Sequence, residues 1–146
     1  VGRADLMEYW RVQGEPLHTA TFMGHPLGCA GALAAIKELQ ERNLVERCAE
    51  LGNYTLNRLR TFAHDVPHIG DVRGRGLMIG IELVTDRISK TPDPERALAT
   101  VYACLQHGVV ILNGGMNGNV ISITPPFIIS QEQLDYALDV LENVVR

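Results

Sequence analysis

Residues 68–84, "HIGDVRGRGLMIGIELV", decide the fold class. "HIGDVRG" and "LMIGIELV" read as two short strands around a tight "GRG" turn at 74–76. A hairpin here divides the chain into a helical stretch before it and a mixed stretch after it. Upstream, "PLGCAGALAAIKELQE" from Pro26 has a helical pattern, and proline suits the first turn because its missing N–H costs nothing there. Gly28, Ala30, Gly31, Ala34 and Ala35 give that helix a small face. "RN" at 42–43 breaks it, and Asn43 is the expected N-cap of a second helix over 44–63. Leu44, Cys48, Leu51, Thr55, Leu59 and Phe62 form its buried stripe.

Downstream, "DRISKTPDPE" is a polar loop that ends in Asp93-Pro94, an N-cap followed by proline at the first helical position. The helix from Pro94 to about Gln106 is expected to bury Leu98, Val101, Tyr102 and Leu105, with Gly108 terminating it in a left-handed conformation. "VVIL" at 109–112 is the next expected strand, buried, followed by the turn-rich "NGGMNGN" and the strand "VISIT", which stops at Pro125-Pro126. Ser130 and Gln133 in "SQEQ" form a capping box for a last helix with Leu134, Leu138, Leu141 and Val145 on one face. The order predicts an α+β fold: a long connecting helix, then a small, largely antiparallel sheet covered by helices. Residues 1–25 show no clear period beyond a turn at "GEP", 14–16, and have no place in that sheet.

Composition sets outer bounds. Hydrophobic residues make up 46% of the 146 and charged residues 21%, enough apolar content for a core. A net charge of -4 gives no support to a nucleic-acid partner. The apolar run Leu27–Ile36 is too short to cross a bilayer, so no membrane role is expected. Cys29, Cys48 and Cys104 fit reduced core thiols of a cytoplasmic protein. The opening "VGRADLMEYW" has no initiator methionine, which fits a piece of a longer chain or a trimmed terminus.

Few residues carry chemistry by spacing. His64 and His68 are four apart, but Pro67 breaks the helix that would align them, and His18 and His25 lie on a loop, so no metal site is expected. "RGRG" at 73–76 is explained more cheaply by a hairpin turn than by an anion cradle. Asp5, Glu8, Glu15 and Asp71 are carboxylates with nothing to pair them. "HTATFMGHPLGC" at 18–29 supports two readings. Thr19 and Thr21 cap the following helix, or Thr21 offers its hydroxyl and N–H to a phosphate, since helix starts attract anions.

The same stretch carries a resemblance. "HTATFMGHPLGCAGALAAI" is similar to the H-x-x-T-[FY]-x-G-[NH]-P-x-x-C/A-A-x-A-A segment of class III aminotransferases. These are pyridoxal-phosphate enzymes of fold type I, such as 4-aminobutyrate, ornithine and ω-amino-acid aminotransferases. "LVERCAELGNYTLNRL", "IGDVRGRGLMIGIELV", "HGVVILNGGMNGNVISITPPFIIS" and "EQLDYALDVLENVV" follow in the family's order, and "VGRADLM" is similar to the stretch just after its cofactor-lysine segment.

The resemblance implies that residues 1–25 are the tail end of the large cofactor-binding domain, 26–64 the connecting helices, and 65–146 the C-terminal small domain. It makes Thr21 the cofactor-binding residue, reaching the phosphate of the neighbouring subunit's cofactor across a homodimer interface. It places the Schiff-base lysine upstream. Lys37 and Lys90 are the two lysines here and neither matches it, so this chain holds no catalytic residue. The parent is then an amino-group transferase acting on a small amine or amino acid and a keto acid. The chain alone, without its large domain, is expected to bind no pyridoxal 5'-phosphate and to be inactive. Many members carry a carboxylate-gripping arginine where Ser122 stands here, which leaves open a same-family racemase or epimerase, or an aminotransferase for unusual amines. A non-catalytic binding or dimerisation module with the small-domain fold is the other alternative.

Overall fold

The computed structural model describes residues 2–12, 15–16 and 21–146. The chain divides into two compact units, Val1–Leu39 and Gln40–Arg146. In the first, α1 (Ala4–Met7) and a 3₁₀ turn (Glu8–Trp10) precede two short strands, β1 (Arg11–Val12) and β2 (Glu15–Pro16), paired antiparallel with Val12 opposite Glu15. Glu15 and Pro16 therefore lie in a strand rather than in the expected turn. Helix α2 (Pro26–Glu41) begins at the expected proline. None of its residues is buried, and Cys29 is exposed rather than a core thiol.

The second unit holds the main core. Helix α3 (Leu44–His64) is followed by β3 (Ile69–Arg75), β4 (Met78–Leu83), α4 (Pro94–Gln106), β5 (Leu112–Gly114), β6 (Val120–Ile123) and α5 (Gln131–Val145). The four strands form one antiparallel sheet in the order β3-β4-β6-β5. Alternation decides its faces: Ile79, Ile81, Leu83, Ile121 and Ile123 point into the core, while Gly80, Glu82, Val120 and Ser122 take the other face. The helices cover the inner face, α3 lying against β3 and α4 against α5, β5 and β6. The expected α+β architecture is observed.

The stripe of α3 is buried as its spacing implies, with Leu51, Thr55 and Leu59 inside and Cys48 and Phe62 partly covered. Leu134, Leu138, Leu141 and Val145 of α5 are all buried, and the Ser130–Gln133 capping box forms in both directions. Asp93 accepts from the Arg96 N–H at 2.9 Å, and Gly108 has φ +75°. His68 is buried, with its Nε2 against the Val145 carbonyl, which ties the end of α5 to the start of β3.

Four local expectations are corrected. Asn43 sits in the left-handed region (φ 48°) and makes no side-chain cap bond. Only two residues separate the two helices, and asparagine tolerates that conformation. Helix α4 buries Ala97, Thr100 and Cys104, whereas Leu98, Tyr102 and Leu105 are exposed. Small side chains let the helix settle close to its neighbours, and Thr100 satisfies its hydroxyl on the Arg96 carbonyl at 2.9 Å. The strand expected at "VVIL" moves to Leu112–Gly114 at the sheet edge, where Val110 and Leu112 are exposed and Val109 is buried. The hairpin turns at Gly76-Leu77 rather than over 74–76, because Arg75 still pairs with Met78; Gly76 takes φ +54°.

Candidate functional site

Thr21 opens a turn over residues 21–24 that leads into α2. Gly24 has φ +69°, and the His25 N–H returns to the Phe22 carbonyl at 3.1 Å. Phe22 and His25 meet edge to face at 6.1 Å. The turn sets His25, not Thr21, against the helix: the Cys29 N–H bonds the His25 carbonyl at 2.9 Å. Thr21 is exposed, and its hydroxyl has no hydrogen-bond partner among the described residues. This overturns the reading of Thr21 as the cap. Thr19 and His18 lie outside the described residues.

The first turn of α2 carries no acidic residue. Proline contributes no N–H, and the N–H groups of Leu27 and Gly28 have no acceptor within the helix. An uncommitted hydroxyl, open N–H groups and the positive end of the helix dipole suit a phosphate oxygen, so the residues present fit one side of a phosphate. Of the two lysines, Lys37 lies within α2 and Lys90 on the loop after β4, at φ 51°.

In the second unit, Ser122 stands on the helix-free face of the sheet. Pairing places Arg73, Gly80, Ser122 and Leu112 in one row across the four strands. Arg73 is committed to Asp71 and Glu82, each at 2.8 Å, which raises its pKa, first through Asp71. Its role is to tie the hairpin, as expected from the sequence. An apolar groove of about 400 Å³ borders Ser122, with Ile111, Pro125, Ile129, Gln133 and Ala137 along it. Arg47 fixes one rim by donating to the carbonyls of Phe127 (3.3 Å) and Ile129 (2.6 Å).

A larger groove of about 740 Å³ runs beside α3 and α5. Two of its charges, Arg58 and Glu142, are spent on each other. Arg58 bonds Glu142 at 2.7 and 3.0 Å and also meets Asp139 and Asp135. Those contacts, Glu142 first, hold the guanidinium pKa well above its ordinary value. Sequence reading missed this cluster, although acids at 135, 139 and 142 recur at helical spacing. The separate carboxylates Asp5 and Asp71 pair with Arg3 and Arg73. No group of three metal-ligating side chains occurs among the described residues, and no described helix is long and apolar enough to cross a membrane.

In the second unit the antiparallel four-stranded sheet and the helices that cover it form an α+β fold. The family model described as "Aminotransferase class-III" matches residues 1–145. The chain belongs to that family. It is 39% identical to the leucine/methionine racemase of Thermococcus litoralis, over 99% of this chain and 32% of that protein. It is also 39% identical to the 4-aminobutyrate aminotransferase of Mycobacterium leprae, over 99% of this chain and 31% of that protein. A Bacillus anthracis aminotransferase structure superimposes with a TM-score of 0.85 at 33% identity, covering 98% of this chain and 34% of that one. The chain thus spans about a third of the length of these relatives.

Proposed function

We propose that this chain is the C-terminal part of a pyridoxal-phosphate-dependent aminotransferase. Residues 1–25 end the large domain, 26–64 form the connecting helices and 65–146 form the small domain. The parent moves an amino group between a small amine or amino acid and a keto acid, as a cytoplasmic homodimer. The observation that carries this reading is the family match along residues 1–145.

When bound, pyridoxal phosphate supplies the electron sink for chemistry at the amino-bearing carbon. The residues of this chain bind and orient. Thr21 donates its hydroxyl to a phosphate oxygen, and the open N–H groups of α2 add their dipoles. A hydrogen bond to a charged group contributes roughly 1.5–3 kcal/mol. Covalent attachment and proton shuttling fall to an upstream lysine. The 146-residue chain alone is therefore inactive.

The test uses the full-length protein and the isolated chain side by side. With pyridoxal phosphate, an amine donor and a keto acid, the full-length protein turns over and the chain does not. Turnover by the chain, or a visible absorbance band from covalently held cofactor on it, refutes the assignment of the lysine upstream. Thr21→Ala in the full-length protein is expected to weaken cofactor affinity by about tenfold or more, the equivalent of at least 1.4 kcal/mol. Unchanged affinity counts against Thr21.

A second reading is favoured by Ser122 and by the racemase relative. Without an arginine at that position, a racemase or epimerase fits as well. Inversion of an apolar amino acid with no keto acid present selects this reading; strict dependence on a keto acid selects transfer.

A further inference from the structure

The four-stranded sheet ends on β3, a seven-residue edge strand. An edge strand presents unpaired N–H and C=O groups to any strand that approaches. Parity shows which groups these are. The Leu83 N–H bonds the Asn119 carbonyl on the β6 side, so odd residues of β4 face β6 and even ones face β3. Asp71, Arg73 and Arg75 of β3 pair with Glu82, Gly80 and Met78, leaving Val72 and Gly74 turned outward.

The outward carbonyls at the start of the edge are already taken. Arg60, from α3, donates its Nε–H to the Val72 carbonyl at 3.3 Å. Arg87, from the loop after β4, donates to the Ile69 carbonyl at 3.2 Å while holding the carbonyls of Ala63, His64 and Val66. A register shift between Ile69 and Asp71 adds a bulge to the same edge. The opposite edge, β5, has only three residues, so β3 is the edge long enough to template another strand.

We propose that Arg60 guards the β3 edge against antiparallel pairing with a second copy of this chain. Charge selects the register of the pairing it prevents. With Val72 opposite Val72 of the second copy, Asp71 faces Arg73 and Arg73 faces Asp71, two opposite-charge pairs on the exposed face. Shifting by two residues keeps two opposite-charge pairs, Asp71 against Arg75, but adds Arg73 against Arg73, and shifting by four sets Arg73 against Arg75 twice, so each is less favourable. The favoured register needs the Val72 carbonyl, which Arg60 occupies.

The experiment is amide hydrogen exchange at Val72 and Gly74 in the 146-residue chain, at two protein concentrations about a hundredfold apart. In the unaltered chain the two rates do not depend on concentration. In Arg60→Met, which keeps the aliphatic stem and removes the donors, both amides slow by about tenfold or more at the higher concentration. Arg60→Gln, whose shorter side chain does not reach Val72, gives the same result by a second route. Adding Asp71→Arg to either variant restores concentration-independent exchange, because two like-charged pairs then oppose the register. Slowing in the unaltered chain, no slowing in either Arg60 variant, or slowing indifferent to Asp71→Arg overturns the proposal.

Discussion

Gly52→Ala tests the packing of α3 on the hairpin. Gly52 lies on the buried face of α3, directly against the turn that joins β3 to β4. A Cβ placed there would stand 2.2 Å from the Gly76 carbonyl oxygen, 2.3 Å from its carbon and 2.5 Å from its Cα. Comfortable contact needs roughly 3.5 Å, so helix and turn must separate by about 1 Å or more. Neither side yields easily. The obstructing atoms are backbone, and the turn is anchored by Leu77, which is 3% exposed and donates its N–H to the Cys48 Sγ at 3.3 Å. Overpacking of this kind costs about 1–3 kcal/mol, and more where backbone is displaced. Alanine returns about 1 kcal/mol of helix propensity. Set against a cost at or above the upper end, the net loss is roughly 2 kcal/mol. Urea unfolding monitored by circular dichroism measures it as a lower midpoint at unchanged slope. A variant as stable as the parent, or more stable, would refute the claim that a backbone-to-backbone approach requires glycine at position 52. Gly31→Ala is the matched control: nothing lies within 4 Å of a Cβ there, and helix content should rise.

Other perturbations separate local devices from the core. Ser130→Ala removes the acceptor for the Gln133 N–H and should cost about 1 kcal/mol in the same urea assay. Arg87→Ala strips the carbonyls at the end of α3 of a charged donor and should cost roughly 1–3 kcal/mol, with faster amide exchange beginning around residues 63–69. Tyr54→Phe probes acid stability. The Tyr54 hydroxyl, first among its partners, holds the Asp135 pKa below its ordinary 3.8. A depressed carboxylate pKa stabilises the fold above the unfolded value and ceases to do so as pH falls through the folded one. The parent should therefore exceed Tyr54→Phe at pH 6, and the gap should close below about pH 4. Asp135 is partly exposed, so solvent screening keeps that gap small. A gap unchanged down to pH 2 would assign the effect to packing instead.

Local chemistry was legible at several helix ends, though not at Asn43, which takes a left-handed conformation instead of capping. The capping box at Ser130, the Asp93-Pro94 start and the left-handed Gly108 depend on interactions a few residues apart, and all appear as the sequence implies. The stripes of α3 and α5 were legible because large apolar residues recur at helical spacing over four or more turns. Helix α4 was misread for the converse reason. Of its expected stripe Leu98, Tyr102 and Leu105 are exposed and Val101 is partly buried, while its small residues are buried, since closeness of approach, rather than hydrophobicity alone, chose the face. For the candidate site, the sequence isolated Thr21 as one of two kinds of group, and only the turn over 21–24 freed its hydroxyl from the capping role.

From Pro26 onward the sequence by itself determined the order of the elements, most of the helix ends and the family to which they belong, because those rest on periodicity, caps and motifs that span a few turns of chain. Tertiary structure alone decided three further things: that Gly52 meets Gly76, that the arginines of α3 and the following loop close the outward carbonyls of β3, and that Arg58 gathers three acids of α5. Each joins residues at least 12 positions apart in the chain, and the longest reaches 84. Such pairings are set by how a helix and a sheet settle against one another, and no pattern along the chain encodes that distance.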